Sequence, residues 1–239
     1  MKFIIPALAL ALAVALYLLL YPAGEQPAPP TPPEAGLEVS PSASVQEYAL
    51  IQRLYDRYFP DPLIVTRGVP VKLYITTIAR EHVNKISIMP FVPETDLVLP
   101  GKITLVRFTP QEAGEFEILN LGHGFTGKLI VAESEAAAKQ LQAAQDVQEV
   151  ALIHSLPDAQ TFPDTIVVQL GPAVQIANTA LSEAHWVSLA PWVEAPSPEE
   201  SGNVKPKEIT LFEFTPERSG TFAISHTVHG FAGKLVVEE

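Results

Sequence analysis

Short runs of alternating apolar and polar residues recur along this chain, and each run stops at a glycine or proline. "KITLVRFTP" (Lys102 to Pro110) and "EITLFEFTP" (Glu208 to Pro216) alternate apolar and polar residues, and "GEFEI" from Gly114 and "GTFAI" from Gly220 alternate again. A period of two puts one set of side chains on one face, which predicts half-buried strands. "LIVTRGVPVKLYIT" and "TIVVQLGPAVQIAN" are β-rich runs broken at Gly68 and Gly171, and "GKLIV" and "GKLVV" form further strands. Several short strands with turn signals between them predict an all-β, antiparallel sandwich. The stretch "SVQEYALIQRLYDRYF" opens like a capping box (Ser44, Glu47), which suits a helix. Its later counterpart contains Pro157, so both are read as opening strands. Only "SEAAAKQLQAAQD" (Ser134 to Asp146), rich in Ala, Gln and Glu, predicts a helix, with Ser134 as its N-cap.

The runs come in pairs because the chain repeats itself. "VQEYALIQ" (Val45) answers "VQEVALIH" (Val147), and "FPDPLIVTRG" (Phe59) answers "FPDTIVVQLG" (Phe162). "VKLYITTIAREH" (Val71 to His82) aligns without a gap on "VQIANTALSEAH" (Val174 to His185). "GEFEILNLGHGFTGKLIV" matches "GTFAISHTVHGFAGKLVV" at 10 of 18 positions. Two copies of one domain are expected, at 45–133 and 147–239, joined by a helical connector at 134–146.

The N-terminus departs from this pattern. Phe3 to Tyr21 is 19 residues without a charge. As a helix it would span roughly 28 Å, close to the thickness of a bilayer core. The run exceeds the apolar stretch of a cleaved signal, and Pro22-Ala23-Gly24 is a poor cleavage site, so residues 1–21 are expected to be an uncleaved transmembrane anchor. Lys2 is the nearby cation, which places everything after Tyr21 on the periplasmic or extracellular side. Residues 22–44 hold seven prolines and predict an extended stalk.

Composition narrows the chemistry. A formal net charge of −12, with 18 % charged residues, excludes a nucleic-acid partner, whose phosphates demand a basic face. The absence of cysteine excludes disulfides, thiolate nucleophiles, zinc fingers and iron–sulfur clusters. Any metal must be held by His, Met, carboxylate or backbone oxygen. No catalytic constellation emerges: Ser225 and His226 are adjacent on a strand and point to opposite faces, so no enzyme is expected.

The order Phe-x-Pro, β-run, Gly, β-run, His, "FTP", "G-x-F", loop His, "GKL-x-V" resembles the cupredoxin family. It is similar to the domains of cytochrome oxidase subunit II and to the EfeO-type domains. The resemblance implies two tandem cupredoxin-like Greek-key β-sandwiches after one transmembrane helix. It also implies where metal ligands would stand. The strand histidine matches His82 and His185, the loop histidine matches His123 and His229, and the family's cysteine falls on Asn120 and His226. The axial methionine falls near Phe125 and Phe231. Without a thiolate, a blue-copper centre is not expected. The second copy keeps His185, His226 and His229, three imidazoles that suit Cu(II) or Zn(II). The first offers the weaker set His82, His123 and Met89, while His154 matches no ligand position and is expected to be exposed. Two functions from different classes follow. One is copper binding for storage, delivery or homeostasis, with a copper-receiving protein as partner. The other is a metal-free interaction subunit of a membrane complex.

Overall fold

The computed structural model describes residues 44–53, 57–79, 84–155, 160–194, 202–226 and 232–239. The expected anchor at 1–21 and nearly all of the stalk lie outside the described residues. Among the described residues no helix is long and apolar enough to cross a membrane.

Among the described residues the chain is nearly all β, in four mixed sheets with one short helix. Its first half contributes β1 (Gln46–Arg53), β2 (Arg57–Phe59), β3 (Leu63–Thr66), β4 (Val71–Thr77), β5 (Ile86–Ser87), β6 (Thr104–Phe108), β7 (Gly114–Asn120) and β8 (Thr126–Ala132). These form one sheet in the order β2-β1-β4-β6 and a second in the order β3-β8-β7-β5. After the helix α1 (Glu135–Ala143) come β9 (Val147–Ser155), β10 (Gln160–Phe162), β11 (Thr165–Gln169) and β12 (Ala173–Ala180). β13 (Val187–Leu189), β14 (Thr210–Phe214), β15 (Gly220–His226) and β16 (Ala232–Glu238) complete the chain. They repeat the same arrangement as β10-β9-β12-β14 and β11-β16-β15-β13.

The sheets are not purely antiparallel, as the strand pattern alone suggested. β1 runs parallel to β4, β3 to β8, β9 to β12 and β11 to β16. No hairpin joins these partners. The chain leaves β1, crosses to the other sheet as β3 and returns as β4, so nothing forces the pair to run in opposite directions. The opening segments are strands, and Ser134 caps α1 by accepting from the Ala137 amide (3.2 Å).

Alternation explains the core. In β6, Thr104, Val106 and Phe108 point inward while Leu105 and Arg107 face solvent. β3 is buried on both faces because Ala138 of α1 covers Ile64. Each core carries the same aromatic trio. Phe91 stacks on Phe108 and meets the edge of Phe116, and Trp192 does the same with Phe214 and Phe222. A glutamine ties the two sheets together in each half. Gln46 bonds the Thr66 backbone at both N–H (2.9 Å) and C=O (3.3 Å), and Gln148 does so at Gln169 (2.6 and 2.8 Å).

A third apolar cluster joins the halves through β1 and β9. Ala49, Ile51, Phe59 and Ile78 pack with Ala151, Ile153 and Ala177. Tyr74 and Phe162 meet across it at 4.9 Å, and Arg57 forms an ion pair with Glu149. The outward face of β1 and β9 is therefore as apolar as the inward face, which explains their unbroken buried runs.

Candidate metal centre

The candidate centre lies at one end of the second half, where both of its sheets supply side chains. His226 ends β15 directly opposite Val187 of β13. Two residues before Val187, His185 is pinned by a bridge to Val204, with its N–H donating to the Val204 carbonyl (2.8 Å) and its own carbonyl accepting in return (3.1 Å). The Asn203 side chain adds two bonds of 2.8 Å to the Val187 backbone, as a further strand would. Gly202 lies so close that a Cβ there would stand 2.6 Å from the His185 carbonyl oxygen. The backbone at His185 is thus fixed on three sides.

The two imidazoles converge as a result. His185 Nδ1 and His226 Nε2 lie 2.7 Å apart, with the rings nearly perpendicular (85°) and both residues buried. One nitrogen carries the shared hydrogen and the other accepts it. A metal ion bound by both nitrogens would replace that proton. Two imidazole nitrogens on one tetrahedral ion stand about 3.3 Å apart, given bonds of about 2.0–2.1 Å. The observed pair needs to open by only about half an ångström to reach that separation.

His154 is not exposed, as the sequence suggested, but fully buried, with its ring 5.6 Å from that of His185. It sits near the end of β9, and its Nε2 lies 3.2 Å from Asn178 Oδ1. Asn178 is oriented by its own amide, which donates to the Ile176 carbonyl (2.9 Å), so its oxygen faces His154 and His154 carries its hydrogen on Nε2. Burial pushes the His154 pKa down to about 4; the Asn178 bond opposes that shift and neighbouring His226 adds to it. His154 is the residue that the motif pattern missed. Its signal was the shared opening strand, in which Gln52 of the first half occupies the same buried polar position.

Among the described residues no group of three or more histidine or carboxylate side chains is spaced to hold a metal ion. His229, the third imidazole expected from the loop, lies outside the described residues, as does Phe231.

The first half places amides where the second has imidazoles. Asn84 bridges Val98 as His185 bridges Val204, and Asn120 faces Ile86 as His226 faces Val187. Asn84, and not His82, is therefore the counterpart of His185. The gapless alignment slips because the second copy is two residues shorter before β13. His82 itself lies outside the described residues. His123 is exposed on the β7–β8 loop, where its backbone N–H donates to Asn120 Oδ1 (2.8 Å). Met89 is 59 % exposed in the turn after β5, and Phe125 packs against Tyr58 (5.0 Å).

A cavity of about 480 Å³ lies elsewhere, between the halves and α1. Two of its carboxylates are engaged: Glu47 with Lys72 (2.6 Å) and the Tyr74 hydroxyl (3.1 Å), and Glu149 with Arg57 and the Asp61 N–H (3.1 Å).

No family model and no curated protein matches the chain. Among solved structures it is similar to a heme-copper terminal oxidase dimer, at 20 % identity and a TM-score of 0.31, over 52 % of this chain and 95 % of that one. It is also similar to a multicopper oxidase (13 %, TM-score 0.32, 81 % and 89 % covered). A copper nitrite reductase from Nitrosomonas europaea overlaps at 12 % identity and a TM-score of 0.30, over 82 % and 94 % of the two chains. All three are copper proteins, but overlaps this slight decide nothing about function.

Proposed function

We propose that this chain is a membrane-anchored, extracytoplasmic protein of two tandem cupredoxin-like sandwiches that binds copper in its second half, for storage, delivery or homeostasis. The observation that carries the reading is the buried convergence of His185 Nδ1 and His226 Nε2 at 2.7 Å. An imidazole pair fits Cu(II) or Zn(II), and His229, three residues further along the sequence, would complete a set of three. Copper held by imidazoles alone lacks the thiolate bond that tunes rapid electron transfer, which suits holding and passing on the ion. Residues 1–21 would anchor the chain, and the proline-rich stalk would lift the sandwiches toward a copper-receiving partner. The acidic surface suits a basic face on that partner.

Cu(II) titration of the full-length protein, followed by electron paramagnetic resonance, tests this. The expected result is a saturable type-2 signal that is lost in His226→Ala and weakened in His229→Ala. A second reading, a metal-free interaction subunit of a membrane complex, is favoured by the closed hydrogen bond between the two rings. No saturable signal, or one indifferent to both substitutions, overturns copper binding and leaves that second reading.

A further inference from the structure

The first half buries four polar side chains at the place where the second half gathers its histidines. Gln52 and Tyr58 face each other directly in the β1–β2 pairing. Tyr58 lies against Asn120, although no hydrogen bond of normal geometry closes between them. A Cβ on Gly122 would stand 2.8 Å from Asn84 Oδ1 and 3.4 Å from Asn120 Oδ1, so both asparagines close on the same glycine. All four residues are at most 2 % exposed.

Their hydrogen-bonding capacity is largely unspent. Asn120 Oδ1 accepts from the Gly122 and His123 amides (2.9 and 2.8 Å), but its Nδ2 has no partner. Neither polar atom of Asn84 or Gln52 has one, nor does the Tyr58 hydroxyl. Buried polar groups in folded proteins are almost always paired, with protein or with ordered water.

The chemistry of the set selects its ligand. These four side chains carry no charge, so a metal ion or an anion among them would be a buried, uncompensated charge. Donors (the Asn84, Asn120 and Gln52 amides) and acceptors (Asn84 Oδ1, Gln52 Oε1) are both present, and Tyr58 supplies one of each. A ligand must therefore be neutral, must both donate and accept, and must be small enough to enter a closed core. We propose that Gln52, Tyr58, Asn84 and Asn120 form a closed water site in the first half, the charge-free counterpart of the imidazole cluster in the second. At about three hydrogen bonds per buried water, the six unpaired atoms call for roughly two water molecules. Copper binding in the second half, which rests on the proposed function, would then occur once per chain.

Two measurements on the full-length protein test the inference. Magnetic relaxation dispersion of labelled water oxygen should detect roughly two more long-lived waters in the wild type than in Asn84→Leu. Gly122→Ala, whose methyl group would push Asn84 Oδ1 aside, should lower the count too and serves if the first variant fails to fold. No long-lived water in the wild type, or a count unchanged in both variants, overturns the proposal. A copper titration should saturate at one equivalent; a second equivalent lost in Asn120→Leu also overturns it. Long-lived water without any copper binding would sustain this site while removing the proposed function.

Discussion

Replacing His154 with glutamine, the residue that stands at its place in the first half, should make the metal-free protein more resistant to acid. Burial holds the folded-state pKa of His154 at about 4, against 6.5 for the free side chain. Below pH 6.5 the unfolded chain takes up a proton that the folded chain refuses until about pH 4, so stability falls as pH drops through that window. Above 6.5 the group contributes no pH dependence. The gap corresponds to roughly 3 kcal/mol, at about 1.4 kcal/mol for each pH unit. The groups that face His154 are Asn178, His185 and His226, and the two histidines remain in the variant. The two proteins therefore differ at residue 154 alone. Glutamine retains an amide able to donate to Asn178 Oδ1, and carries no charge to expel. Urea denaturation of chelator-treated protein at a series of pH values is the assay. The wild type should lose roughly 3 kcal/mol more than His154→Gln between pH 7 and pH 4. Parallel stability curves would refute the reasoning, because they would mean that His154 reaches solvent or protonates freely in the folded state.

Gly202→Ala should weaken copper binding beyond its effect on stability, since its methyl group would strike the His185 backbone and displace one of the two converging rings. The expected destabilisation is about 1–3 kcal/mol, checked by thermal unfolding beside a copper titration. Gln148→Leu removes both bonds to the Gln169 backbone in a buried site and should cost about 2–4 kcal/mol by urea denaturation, with the less buried Gln46→Leu costing less.

Strands, repeat and connector helix were legible because each depends on local chemistry: period-two alternation, turn residues and a serine N-cap. The parallel pairings were not, since β1 and β4 meet only after the chain has visited the other sheet. The correspondence between the halves is legible to the extent that the residues lie on strands. Asn120 and His226 occupy equivalent places because the "G-x-F" strands before them have equal length. His82 was matched to His185 across a connection that differs by two residues, where side-chain identity is a poor guide and the bridge to Val98 or Val204 is decisive. The burial of His154 escapes the sequence pattern for a related reason. A polar residue closing an apolar strand looks like its solvent-exposed end, and only the packing of both sheets over β9 shows otherwise.

The two halves show how one backbone accommodates two chemistries. At each equivalent position the fold supplies the same thing: a buried, strand-fixed side chain pointing toward its neighbours. Amides at 52, 84 and 120 satisfy that geometry without charge, and imidazoles at 154, 185 and 226 satisfy it with lone pairs. Asn120 spends its oxygen on the amides of the β7–β8 loop, so it closes that loop from within. His226 places its Nε2 2.7 Å from His185 Nδ1. Among the described residues, the first-half amide thus holds its loop, and the second-half imidazole meets a partner ring, the contact that a metal ion would enter. Divergence of this kind needs no change in sheet order or core. It requires only that a second buried donor set replace the first, so that two copies with the same strands and the same aromatic trio carry amides in one and imidazoles in the other at equivalent positions.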